Sequence, residues 1–128
     1  MAGRLGTHVE VVAPATNVAR GATAEAVAAT LLARAGYRVV ERNYRCVVGE
    51  LDIVAYDGEV LTFVEVRSRR DDRHGEGAEM VGKRKQRQVA RVAGVYLALR
   101  APAAEQVRFD VVALTGDDAV LIKDAWRV

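Results

Sequence analysis

The stretch Gly49–Arg70, GELDIVAYDGEVLTFVEVRSRR, decides how this chain is read. Asp57-Gly58 stands between two runs rich in Val, Ile, Leu, Phe and Thr. That dipeptide suits a two-residue turn with positive φ at both central positions, so the spacing predicts a β-hairpin. With Asp57-Gly58 as the turn, Tyr56 faces Glu59, Asp52 faces Phe63 and Glu50 faces Glu65. Alternation then places Leu51, Ile53 and Ala55 on one face with Val60, Thr62, Val64 and Val66, and Glu50, Asp52, Glu65 and Arg67 on the other. Val54, Leu61 and Phe63 share the acidic face, which should therefore be partly covered, and a covered acid needs a partner. Asp52 and Glu65 emerge as diagonal neighbours with Cα atoms about 7–8 Å apart. Two carboxylates that close share a proton or hold a cation, and a hard ion such as Mg²⁺ takes oxygen ligands at about 2.1 Å. The alternative is a solvated hairpin face whose acids are offset by Arg67, Arg69 and Arg70.

Asp52, a hairpin and then Glu65-Val66-Arg67 resemble the D…(D/E)-x-K signature of restriction-endonuclease-like nucleases, with Arg67 at the lysine position. The wider string Gly49-Glu50-Leu51-Asp52-Ile53-Val54 with Phe63-Val64-Glu65-Val66-Arg67 is similar to the GEIDLI…FVEVK core of the YraN-like family, small bacterial proteins grouped with Holliday-junction resolvases. Further likeness lies in Gly36-Tyr37, Val39, Arg42-Asn43-Tyr44-Arg45, the Lys83–Val89 segment with Tyr96-Leu97, and Arg108–Val112. The resemblance implies a restriction-endonuclease-like domain acting on DNA, branched DNA included, with Mg²⁺ or Mn²⁺ as cofactor. It implies a metal held by Asp52, Glu65, the Val66 carbonyl and Glu25, and the candidate catalytic set Asp52, Glu65, Arg67, Glu25 and Lys85. The ion would polarise the phosphoryl group and activate water. Lysine in the signature can accept a proton; Arg67, with a pKa above roughly 12, can act only through charge. Two other readings stay open: a non-catalytic nucleic-acid-binding module that kept the fold, and an interaction protein whose acidic pair is structural. Resolvases cut two strands as symmetric dimers, so a homodimer is a possible state.

The remainder of the chain is consistent with one α/β domain. Its 128 residues, 51% hydrophobic, supply one core and no more. A lone cysteine, Cys46, excludes an internal disulfide, and no run of roughly 18 apolar residues or signal-peptide pattern is present. A cytoplasmic protein without membrane association is the expectation. A net charge of +2 is uninformative, but Arg67, Arg69, Arg70, Arg73, Lys83, Arg84, Lys85, Arg87 and Arg91 cluster within one stretch. Of these, Arg69, Arg70, Lys83, Arg84, Arg87 and Arg91 are the candidate phosphate contacts, a solvated helix face being the alternative.

Residues 1–18 read as a poorly ordered tail and 19–128 as the domain. Residues 21–35 form a helix closed by Gly36, with Glu25 at the edge of its buried stripe. Residues 37–45 are a strand and 68–81 a loop whose His74, like His8, lacks a second histidine at ligand spacing. Residues 83–100 form a second helix on which Lys85, one turn before Val89, points at the sheet. Residues 106–114 are a strand, 119–122 a short edge strand, and Trp126 docks on the core. Asp110 is a third acid, better explained by a pairing with Arg108. The fold class expected is one mixed sheet containing a β-hairpin, flanked by helices, with the strand after the second helix returning parallel.

Overall fold

The computed structural model describes residues 8–11, 23–69, 81–115 and 118–128. In order they form β1 (His8–Val11), α1 (Ala24–Arg34), β2 (Arg38–Cys46), β3 (Gly49–Asp57), β4 (Val60–Arg69), α2 (Lys83–Arg100), β5 (Val107–Thr115) and β6 (Asp118–Trp126). Thr23 starts α1 by accepting the Ala26 N–H on its Oγ1 at 3.1 Å. Ala101 closes α2 in the left-handed region with φ 46°, just before Pro102, which cannot continue the helix. Arg70 and His74 lie outside the described residues, as does most of the 1–18 segment.

One mixed six-stranded sheet results, in the order β1-β6-β5-β4-β3-β2. β4 and β5 are parallel, joined by the crossover through α2 as the sequence predicts. All other neighbours are antiparallel. On one face α1 lays Val27, Ala28, Leu31 and Leu32 on Ile53, Ala55, Val64, Val112 and Leu121. On the other, Val89, Val92, Ala93 and Tyr96 of α2 cover Leu51, Val54, Leu61, Phe63 and Val111, with Trp126 stacked on Phe109 at 5.0 Å. The domain is thus α/β, a mixed sheet flanked by helices.

Three expectations need correction. Within the segment expected to be a poorly ordered tail, His8–Val11 pairs with β6 as an edge strand. β6 is nine residues long and lies inside the sheet between β1 and β5, rather than being a short edge. The hairpin turn is Gly58-Glu59, which pairs Asp57 with Val60, Tyr56 with Leu61 and Val54 with Phe63, so Asp52 does not face Phe63. In this turn Gly58 alone has positive φ, 63°, the arrangement of a turn with glycine in its first central position. Asp57 stays in the strand because its carboxylate binds Arg108 and Lys123, at 2.7 and 3.2 Å.

Candidate active site

β3 leaves β4 at the acid pair. The β3–β4 ladder runs from Asp57↔Val60 only to Ile53↔Val64, whereas β3 stays paired with β2 as far as Gly49↔Cys46. Beyond Ile53 the Val66 N–H donates not to a β3 carbonyl but to Asp52 Oδ2, at 2.8 Å. The side chain replaces a rung of the ladder, and the strands splay around it.

A twist in the β2–β3 ribbon accompanies this opening. Leu51 and its partner Tyr44 face α2, but Ile53 faces α1, although residues two apart on a regular strand share a face. The expectation that Leu51, Ile53 and Ala55 lie together therefore fails at Asp52. The inversion falls where Asn43, between Arg42↔Ile53 and Tyr44↔Leu51, takes φ 57°. Asparagine tolerates that region better than most residues.

Glu65 sits on the α2 side and is 4% exposed. Lys85 reaches it from the first turns of α2, Nζ to Oε2 at 3.3 Å, so Lys85 does point at the sheet. Burial, with the Asp52 charge beside it, raises the Glu65 carboxyl to about 7, against the lowering influence of Lys85 and Arg67. Burial likewise raises Asp52, opposed by the Val66 hydrogen bond and Lys85 and reinforced by the charges of Glu25 and Glu50. Two largely desolvated acids with their charge incompletely offset form the electrostatic centre of this face.

Glu25, in the first turn of α1, is close enough to act on Asp52 electrostatically, but its Oε2 is bonded to Arg42 Nε at 3.2 Å. Arg67 is half-buried, and its charge acts on Glu65. Lys83, Arg84, Arg87 and Arg91 are distributed along α2, and all four are exposed. Arg69 is in β4, whereas Arg70 falls outside the described residues. Among the described residues no three His, Cys, Asp or Glu side chains are grouped to close on one ion.

Asp110, the third acid, belongs to a separate buried network. It is fully buried and accepts from Arg108 at 2.8 and 2.9 Å, from Tyr37 Oη at 2.7 Å and from the Asp124 N–H at 2.9 Å. Arg108 also donates to Asp57. Burial and the neighbouring Asp110 push the Tyr37 hydroxyl upward. Burial raises the Asp57 carboxyl, but hydrogen bonds from Arg108 and Lys123 outweigh it and hold the group below its ordinary value. A set this fully paired ties β3, β5 and β6 to the start of β2, and the pairing of Asp110 with Arg108 follows the sequence reading.

The roles of three residues at the site escaped the sequence reading: Asn43, Gly49 and Gln88. Gly49 has φ 148°, and a Cβ on it would lie 3.0 Å from Val92 Cγ2 and closer still to the Gln88 amide. Gln88 Nε2 donates to the Val48 carbonyl, so α2 rests directly on the β2–β3 turn. The Asn and Gly signals were visible as residue types, but only the backbone path shows what they are for.

Residues 24–114, most of the chain, match the family described as Uncharacterised protein family UPF0102. The chain belongs to that family. This UPF0102 chain is 50% identical over 95 residues to a UPF0102 protein of Moorella thermoacetica, covering 74% of this chain and 79% of the relative. It is 42% identical over 116 residues to one from Syntrophus aciditrophicus, covering 88% and 91%. A third, from Xanthomonas axonopodis pv. citri, is 49% identical over 117 residues, covering 89% and 96%. UPF0102 is the YraN-like family that the Gly49–Arg67 motif resembles. No helix among the described residues is long and apolar enough to cross a membrane.

Proposed function

We propose that this UPF0102 protein is a Mg²⁺- or Mn²⁺-dependent, structure-selective DNA endonuclease. One observation carries the reading: Asp52 and Glu65, both pushed upward by burial, converge where β3 parts from β4. The donor set suits a hard cation. Asp52 Oδ2 and Glu65 Oε2 are engaged by Val66 and Lys85, which leaves the second oxygen of each carboxylate without a hydrogen-bond partner among the described residues. Those two oxygens and the Val66 carbonyl would hold the ion, with Glu25 joining directly or through water after release from Arg42. When bound, such an ion polarises a phosphoryl oxygen and activates water.

The protein's own groups do the rest. Asp52 keeps β4 in place through Val66. Lys85 offsets the Glu65 charge, and its ammonium, held 3.3 Å from Glu65 Oε2, brings a second cation to the site from α2. Arg67 lies on the same strand face as Glu65 and directs a delocalised cation at the phosphate. The α2 arginines attract the backbone by counterion release.

The test uses four-way junctions, flaps and linear duplex in Mg²⁺ or Mn²⁺, with and without chelator. Asp52→Asn and Glu65→Gln are the informative variants, because each keeps the size of the acid. The amide oxygen introduced by Asp52→Asn can still accept the Val66 N–H, so the splayed backbone is retained while the charge is removed. Chelator-sensitive cutting lost in both is expected. No cutting of any substrate, together with unchanged Mn²⁺ affinity in the variants by calorimetry, would overturn the reading.

A further inference from the structure

Beside the acid pair, a cavity of about 580 Å³ opens where the β2–β3 turn meets α2, lined by Arg45, Cys46, Gly49, Glu50, Lys85 and Gln88. Two of its walls are cations and none is aromatic, a lining suited to a sugar-phosphate backbone rather than to a stacked base. Its floor is fixed: Gln88 holds the Val48 carbonyl, and Gly49 admits α2 with no room for a side chain. Lys85 joins this cavity to the acid pair, since its Nζ is 3.3 Å from Glu65 while 43% of its side chain is exposed.

Arg45, on the opposite wall, is tethered by Glu50, Nε to Oε1 at 3.1 Å, with side chains 74% and 53% exposed. A pair that exposed contributes little, under about 1 kcal/mol. A phosphodiester can accept two hydrogen bonds from the guanidinium and is a stronger partner once both are partly desolvated. Glu50 is therefore displaceable.

We propose that this cavity is a subsite for the phosphodiester adjoining the one at the acid pair, gripped between Arg45 and Lys85, with Glu50 as the competitor it displaces. The proposal rests on the nuclease reading and extends it: the ligand is a continuous nucleic-acid strand running from the acid pair toward the β2–β3 turn.

Anisotropy of a short labelled single strand in Ca²⁺, over a salt series, tests this with the full-length protein. Arg45→Gln should weaken binding about tenfold and lower the salt slope by about 0.7, the share of one phosphate contact on a single strand. Glu50→Gln should tighten binding severalfold, and only while Arg45 is present. Cys46, the one cysteine, gives a local footprint: the bound strand should slow its alkylation by iodoacetamide, and inorganic phosphate at the same concentration should not. If the α2 variant Arg84→Gln/Arg87→Gln/Arg91→Gln loses binding while Arg45→Gln is silent and Cys46 is unprotected, the subsite is wrong and the nuclease reading stands. If no strand, flap or junction binds any of these proteins, both fall. Equal protection by inorganic phosphate would overturn the assignment of a strand.

Discussion

Glu65 holds an electrostatic conflict, an acid 4% exposed whose direct cation is a lysine from another element. Its carboxyl ordinarily titrates at 4.5 but is held at about 7 in the fold. Between those values the folded protein binds a proton that the unfolded chain has lost, so the metal-free protein loses stability as pH rises from about 4.5 to 7. Glu65→Gln should flatten that slope and stabilise the metal-free protein at pH 8 by up to about 3 kcal/mol, measured by urea denaturation across pH. A slope unchanged by the substitution would remove the conflict. Arg67 invites the opposite kind of test, on turnover: Arg67→Lys should preserve or raise cleavage, whereas Arg67→Ala should lower turnover more than affinity, because the charge acts on the transition state. Single-turnover cleavage with affinity measured in Ca²⁺ separates these outcomes. At this scale the sequence was informative about the acids and Lys85, whose spacing and residue type reveal them. It was silent on the pairing of Glu25 with Arg42, because no local pattern links a helix start to a residue 17 positions later.

At the scale of the element, the β2–β3 ribbon does the shaping. Asn43 in the left-handed region turns Tyr44 and Leu51 toward α2 while Ile53 stays against α1. Asn43→Gly should leave stability within about 0.5 kcal/mol, but Asn43→Val should cost about 1–2 kcal/mol and weaken Mn²⁺ binding with it. Thermal melts and Mn²⁺ titration of both variants check this; a Val variant with wild-type melting and affinity would show that the twist is made elsewhere. Gly49→Ala faces both an unfavourable φ and a clash with Gln88 and Val92, so about 1–3 kcal/mol should be lost. The hairpin itself was legible from alternation and its turn residues. Its register was not, since Asp57-Gly58 and Gly58-Glu59 both make acceptable two-residue turns. The choice was made by Arg108 and Lys123, which capture Asp57 from strands distant in sequence.

Across the whole molecule, the order of helices and strands follows from periodicity, but the lateral order of the strands does not. Nothing in the local sequence of β6 says that it lies between β1 and β5; that follows from its two partners, one of which is only four residues long. β1 covers the edge of β6 from Val120 to Lys123, where Leu121 and Ile122 are buried. Deleting residues 1–12 should therefore expose an unprotected edge and raise self-association, since an open apolar strand recruits further strands. Light scattering against protein concentration measures this. A deletion variant whose association state and stability match those of the full chain would show β1 to be dispensable.

The insertion of β6 between β5 and β1 also dictates a schedule. β2, β3 and β4 are joined by short turns and can pair early, but β1 has no docking place until β6, more than a hundred residues further along the chain, has found β5. A contact closing so long a loop forms late, because its chain entropy is lost before its bonds are gained. The acid pair and its twisted ribbon belong to the early half of that schedule, and the β1 edge to the last step. Refolding followed at both places should accordingly show the Asp52–Glu65 region organised before the first strand is seated.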